Sequence, residues 1–124
     1  MKPPPCRIVA TREPGSPLWT FHLVNDGAEA IDSAELAAVR YEWGEVYVGG
    51  ESPGVRVTDL GPGERAWLWR DDGGSEMRTD LWLRVAQQGR EIWLLFEFPR
   101  LYRQTGTTLV AGPTSMPGPP DSLT

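Results

Sequence analysis

Apolar and polar residues alternate with a period of two along much of the chain, and the clearest alternation lies between Arg78 and Phe98. Two short apolar runs, Leu81-Trp82-Leu83-Arg84-Val85 and Ile92-Trp93-Leu94-Leu95-Phe96, stand either side of Gln87-Gln88-Gly89-Arg90. Each run is too short for a helix and rich in aromatic and branched residues, so the pair predicts two strands joined by a hairpin. With Gln88-Gly89 as a two-residue turn, Val85 faces Ile92, Leu83 faces Leu94 and Leu81 faces Phe96. A four-residue loop gives the same pairing, whereas an odd loop would set leucines against polar neighbours. One face of the hairpin is then wholly apolar, and the other carries Trp82, Arg84, Trp93 and Leu95.

The same pattern organises the rest of the chain. Pro3-Pro4-Pro5 predicts an extended lead, followed by a short edge strand over Cys6–Ala10 and a proline-broken loop to Pro17. Leu18–Val24 alternates, with Trp19, Phe21 and Leu23 on one side and His22 on the other, and reads as a core strand. Asn25-Asp26-Gly27 is a turn sequence. Residues 28–44 support two readings. Asp32 with Glu35, bracketed by Ile31 and Leu36, makes a capping box and staple for a helix near 33–43. The alternation of Ala37, Val39, Tyr41 and Trp43 instead predicts a strand, which would close a hairpin with Trp19–Val24; the strand is preferred. Glu45–Val48 continues it after a bend at Gly44, Gly49–Gly54 is a loop and Val55–Asp59 a short strand. Leu60-Gly61-Pro62-Gly63-Glu64 is a tight turn into Arg65–Arg70, where Trp67 and Trp69 share a face and, with Trp19, read as core. Asp71–Glu76 is a polar loop, and Pro99 ends the second hairpin strand. From Gln104 the chain is rich in Gly, Pro, Ser and Thr, a composition that buries too little apolar surface to offset its ordering entropy.

The expectation is an all-β protein, an antiparallel sandwich of seven to eight strands over residues 1–103 with a disordered tail over 104–124; the alternative is α+β with one helix near 33–43. The order strand, Asn25-Asp26-Gly27, strand, Leu60-Gly61-Pro62-Gly63-Glu64, strand and closing hairpin resembles bacterial immunoglobulin-like modules of the fibronectin type III and cell-adhesion-related kinds. An N-x-G turn and an L-x-P-G-E turn recur at similar places in those modules, and the likeness covers about residues 18–98. The resemblance implies an immunoglobulin-like β-sandwich with a binding or spacer role and no catalytic site.

At 124 residues the chain makes one domain with room for a core. One cysteine, Cys6, excludes an internal disulfide, and one histidine, His22, removes most zinc, copper and triad chemistry. The net charge of −5 weighs against nucleic-acid binding. Lys2 is the sole lysine, and this bias toward arginine fits a GC-rich bacterial genome. No run approaches the roughly 18 apolar residues of a membrane span, and the N-terminus lacks the apolar core of a secretory signal, so a cytoplasmic protein is expected.

Candidate chemistry is sparse. Gly50-Glu51-Ser52-Pro53-Gly54 matches the G-x-S-x-G pattern of serine hydrolases, but Pro53 lacks the N–H that the oxyanion hole needs and starts no plausible helix there. Asp71, Asp72 and Glu76 lack the ligand spacing of a calcium loop. Asp26, Glu29, Asp32 and Glu35 form an acidic group with no basic or histidine partner evident. Cys6, with no neighbouring base, is expected as a small buried side chain or a free, unreactive thiol near an end. No metal or cofactor is expected.

The six tryptophans are the unusual feature. On the outward face of the hairpin, Trp82 and Trp93 stand with Leu95 and with Arg84, which lies across from Trp93 at cation–π range. Aromatic and apolar side chains beside an arginine suit a protein interface. Leu101-Tyr102, the N-terminal arm or the 28–44 segment folding over that face would remove it. The expectation is a non-enzymatic protein-interaction module whose binding residues are Trp82, Arg84, Trp93 and Leu95, with a protein partner or a homodimer. The alternative is a carbohydrate-binding module using the same tryptophans.

Overall fold

The computed structural model describes residues 3–43, 46–51, 55–71, 78–99 and 106–119. The order of elements is β1 (Cys6–Thr11), β2 (Trp19–Asn25), β3 (Ile31–Trp43), β4 (Val46–Glu51), β5 (Val55–Leu60), β6 (Arg65–Asp71), β7 (Arg78–Gln87), β8 (Arg90–Phe98), β9 (Thr108–Ala111) and β10 (Thr114–Met116). A four-stranded sheet runs β6-β2-β1-β9, and a six-stranded sheet runs β10-β8-β7-β3-β4 with β5 also on β3. All pairings are antiparallel. The two sheets close on one core that includes Ile8, Phe21 and Leu23 from one side and Leu36, Leu83, Leu94 and Phe96 from the other. Phe21 and Phe98 meet edge to face across it, centroids 5.1 Å apart. The protein is an all-β sandwich.

The β7–β8 hairpin has the register its sequence predicts: Val85↔Ile92, Leu83↔Leu94 and Leu81↔Phe96. Gln88 and Gly89 both take positive φ, 52° and 75°, the two-residue turn whose twist matches that of paired strands. Segment 31–43 is strand, not helix. The two carboxylates that imitate a capping box have other work: Asp32 Oδ2 accepts the Gln88 N–H at 3.0 Å, and Glu35 accepts from Arg84 at 2.8 Å. Ile31 and Leu36, the apparent staple, are fully buried in the core.

Several expectations need correction. β3 forms no hairpin with β2 but lies in the opposite sheet, between β7 and the β4/β5 pair. β1 is an interior strand, flanked by β2 and β9, rather than an edge. Gly49, Gly50 and Glu51 belong to β4 instead of a loop. The region from 104 to 124, expected as a disordered tail, supplies β9, which pairs with β1, and β10, which pairs with β8. Low apolar content misled there, because a strand that completes a sheet edge needs backbone partners more than side-chain burial. These two strands and β4 carry the total past seven or eight. The bend at Gly44 lies outside the described residues.

Two bulges set which side chains face inward. In β3 the pairing with β7 slips between Leu36 and Ala38, so Ala37 is the extra residue. Ala34 and Leu36 face the core before it, Val39 and Tyr41 after it. In β6 the register on β2 shifts at Leu68: Phe21 faces Trp69, whereas His22 faces Trp67. Trp67 was expected in the core with Trp69, yet it is 49% exposed while Leu68 is buried. A bulge inserts one residue and reverses the alternation beyond it.

The N-x-G and L-x-P-G-E turns meet at Asn25, which is buried. Its Nδ2 donates to the Leu60 carbonyl at 3.0 Å and the Glu29 carbonyl at 2.8 Å, and its Oδ1 accepts the Gly27 N–H at 2.9 Å. Its backbone N–H donates to the Glu64 carbonyl, and its carbonyl accepts from Gly63, which has φ +77°. Truncation to alanine strands the buried Leu60 carbonyl along with the other partners. Asn25→Ala is therefore expected to lower unfolding free energy by about 2–3 kcal/mol in urea titration. In the β7–β8 turn a Cβ on Gly89 meets no atom within 4 Å. Gly89→Ala should then cost only the left-handed backbone penalty, about 1–2 kcal/mol, visible as a lower urea midpoint with unchanged slope.

Candidate functional site

The outward face of the six-stranded sheet is built by alternation. With Leu81, Leu83 and Val85 committed to the core, Asp80, Trp82 and Arg84 of β7 point away from it. Opposite them on β8 stand Glu97, Leu95 and Trp93. Bulged β3 adds Ala38 beside Trp82 and Arg40 beside Asp80, and β10 adds Met116 beside Trp93. Trp82, Leu95 and Ala38 form an apolar cluster separate from the sandwich core, with Trp93 and Met116 packed on it.

The four residues expected to bind, Trp82, Arg84, Trp93 and Leu95, thus share one face in two facing pairs. Their exposure differs from the expectation. Trp82 is only 5% exposed and Leu95 only 9%. The Arg40 guanidinium lies 5.4 Å from the Trp82 ring centroid, and Trp93 and Met116 pack beside it. Trp82 and Leu95 are a floor rather than a contact surface. Trp93 and Arg84 remain half-buried and reachable. Leu101-Tyr102, expected as one cover for this face, lies outside the described residues.

Arg84 is held from three directions. Its NH2 group donates to Glu35 at 2.8 Å, its Nε stands 3.9 Å from Glu91, and its Cζ lies 6.0 Å from the Trp93 ring centroid. The hydrogen bond to Glu35, then the charges of Glu35 and Glu91, hold the guanidinium further in its charged form. Two recesses flank this group. One, about 170 Å³, is lined by Ser33, Glu35, Arg56, Arg84, Ala86 and Glu91. The other, about 350 Å³, runs between Glu91, Ile92, Trp93 and Ser115, Met116, Pro117. The face offers apolar side chains rimmed by charges of both signs. Arg40, Ala38 and Met116 could not be assigned to it from sequence: the first two depend on the bulge at Ala37, and Met116 sits where a tail was expected.

The other candidates are placed as follows. Ser52, Pro53 and Gly54 of the G-x-S-x-G match, and Asp72–Glu76 of the acidic loop, lie outside the described residues. The acidic group 26–35 is dispersed among structural partners, Asp26 to Arg7 at 3.0 Å, Asp32 to the Gln88 N–H and Glu35 to Arg84. Among the described residues no three His, Cys, Asp or Glu side chains converge as metal ligands, and no helix is long and apolar enough to cross a membrane. Cys6 is buried in the core, and burial, followed by the charge of Asp26, pushes its thiol up to about 12. At neutral pH it stays a thiol, which is a poor nucleophile.

His22 points outward on β2, as expected, with Nδ1 buried and without a hydrogen-bond partner. Desolvation, then the charge of Arg65, lowers its pKa from the ordinary 6.5. The native state thus favours neutral imidazole, whereas the unfolded chain takes up a proton near pH 6.5. The resulting stability is complete above that pH and is lost as pH falls through the native value. His22→Gln should flatten the loss of stability just below pH 6.5. Urea midpoints of both proteins across that range check this, and parallel curves would contradict it.

The fold and this face define an all-β sandwich bearing an aromatic, charge-rimmed sheet surface. In comparisons with protein-family models, with curated proteins and with solved structures, no match was found.

Proposed function

We propose that this chain is an immunoglobulin-like protein-interaction module, non-enzymatic, that associates through the outward face of its six-stranded sheet. The observation that carries the reading is the second apolar cluster, formed by Ala38, Trp82 and Leu95 outside the core, with Trp93 and Met116 against it. Trp93, Met116 and Arg84 are the groups a partner reaches, while Trp82 and Leu95 support them from below. The turn junction at Asn25 supports the immunoglobulin-like part, since it joins the two motifs that carry the resemblance.

A second copy is the favoured partner. A two-fold contact requires a surface complementary to itself. Glu35, Arg84 and Glu91 place both signs of charge within one short stretch, so a rotated copy can set Arg84 against a carboxylate of its mate. A sugar platform needs two open indole faces, and Trp82 is covered, which favours protein over carbohydrate.

Sedimentation velocity over a concentration series tests this. The wild type should associate, and Trp93→Glu, at a half-buried position, should remain folded and weaken association at least tenfold, the scale of an anchor residue. A wild type that stays monomeric at every concentration, or association indifferent to Trp93→Glu, would remove the reading.

A further inference from the structure

The opposite surface, the outward face of the four-stranded sheet, has different chemistry. Register aligns Trp67 of β6 with His22 of β2, His22 with Val9 of β1, and Val9 with Val110 of β9. These residues form one row across all four strands, about 14 Å long at ordinary strand spacing. Trp67 and Val110, its two ends, are 49% and 55% exposed, the most exposed large apolar side chains described. On one side the row is bordered by Arg65, Val24 and Arg7, on the other by Arg70, Thr20, Thr11 and Thr108. None of these outward strand positions carries a carboxylate, although the chain as a whole has net charge −5. Asp26, just beyond β2, is engaged with Arg7. Glu13, in the loop after β1, lines a recess with Thr20 and Arg70 at the margin of the row, leaving Arg65 and Trp67 away from it.

We infer that this row is a second docking surface, for a segment of a different protein that carries Asp or Glu around an apolar anchor. Charge complementarity selects the occupant: Arg65 and Arg70 stand on either side of an open indole, so carboxylates spaced about an apolar side chain meet guanidinium groups while the side chain rests on Trp67. A second copy is a poor occupant. Like faces would oppose arginine to arginine, and this face against the six-stranded one would be a heterologous contact, which does not give a two-fold dimer. A nucleic acid is disfavoured by the net charge, which repels polyanions at long range. The inference is independent of the surface proposed above and stands or falls on different residues.

Selection from a displayed random-peptide library on the immobilised full chain tests it, followed by titration of the synthetic peptides. The expected winners carry several Asp or Glu residues around one aromatic or branched apolar residue. Their affinity should fall about tenfold or more with Trp67→Ala, with Val110→Glu and with rising salt, and stay unchanged with Trp93→Glu. Trp67 and Val110 are exposed, so both variants should fold, which circular dichroism checks. No enrichment, neutral or basic winners, or acidic winners indifferent to Trp67→Ala and Val110→Glu would each overturn the inference. So would a wild-type self-association that Trp67→Ala abolishes.

Discussion

A buried carboxamide must find partners for its two donors and its acceptor, and Asn25 finds them in two different segments. It sits at the end of β2 in one sheet, takes the carbonyl of Leu60 at the end of β5 in the other, and holds the loop that leads into β3 through Gly27 and Glu29. Its main chain is bonded meanwhile to Gly63 and Glu64, at the entrance to β6. Two of the places where the chain crosses between the sheets, β2 to β3 and β5 to β6, are thereby clamped together. The turn itself is held by the Glu64 carboxylate, which accepts the Gly61 N–H, and a Cβ at Gly61 would strike that carboxylate. Short motifs that look forgiving in sequence are thus constrained by one side chain, because leaving any of these groups dry and unpaired costs more than the bond itself contributes.

The β7–β8 hairpin could be read in full because its information is local. Parity across a two-residue turn determines every facing pair, and the polar alternative would have put leucines into water. Segment 31–43 was ambiguous for an equally physical reason. A carboxylate three residues from another, flanked by apolar positions, satisfies a helix N-terminus or a neighbouring strand equally well. What decides is whether Gln88 N–H and Arg84 are at hand, and that depends on β7 and β8, some fifty residues away.

The bulges mark where reading from sequence stopped. Neither Ala37 nor Leu68 carries glycine, proline or any other local sign of an extra residue. Past each one the alternation continues with the opposite meaning. A strict period of two put Trp67 beside Trp69 in the core and offered no reason to place Arg40 over Trp82. The candidate site was legible as a set of residues sharing a face, since that follows from the hairpin. Its relief was not, because the cover over Trp82 comes from β3 beyond a bulge and from β10, a strand whose side chains contribute little burial and whose backbone contributes an edge.

The same bulges separate the chemistry of the two outer surfaces. At Ala37 the shift brings Ala38 and Arg40 to the outside of the six-stranded sheet, closing over an indole that would otherwise be open. At Leu68 it does the reverse, sending Trp67 out of the sandwich and leaving Leu68 to fill the core. One surface therefore carries covered aromatics amid charges of both signs, and the other an open aromatic bordered by strand positions that carry arginine and no carboxylate, with Asp26 and Glu13 at its margin. Mixed charge is compatible with contact between copies, while a predominance of one sign disfavours it and favours a partner of the opposite sign. A single inserted residue per strand is enough to make that distinction, because in a sheet it reassigns every later side chain to the other side.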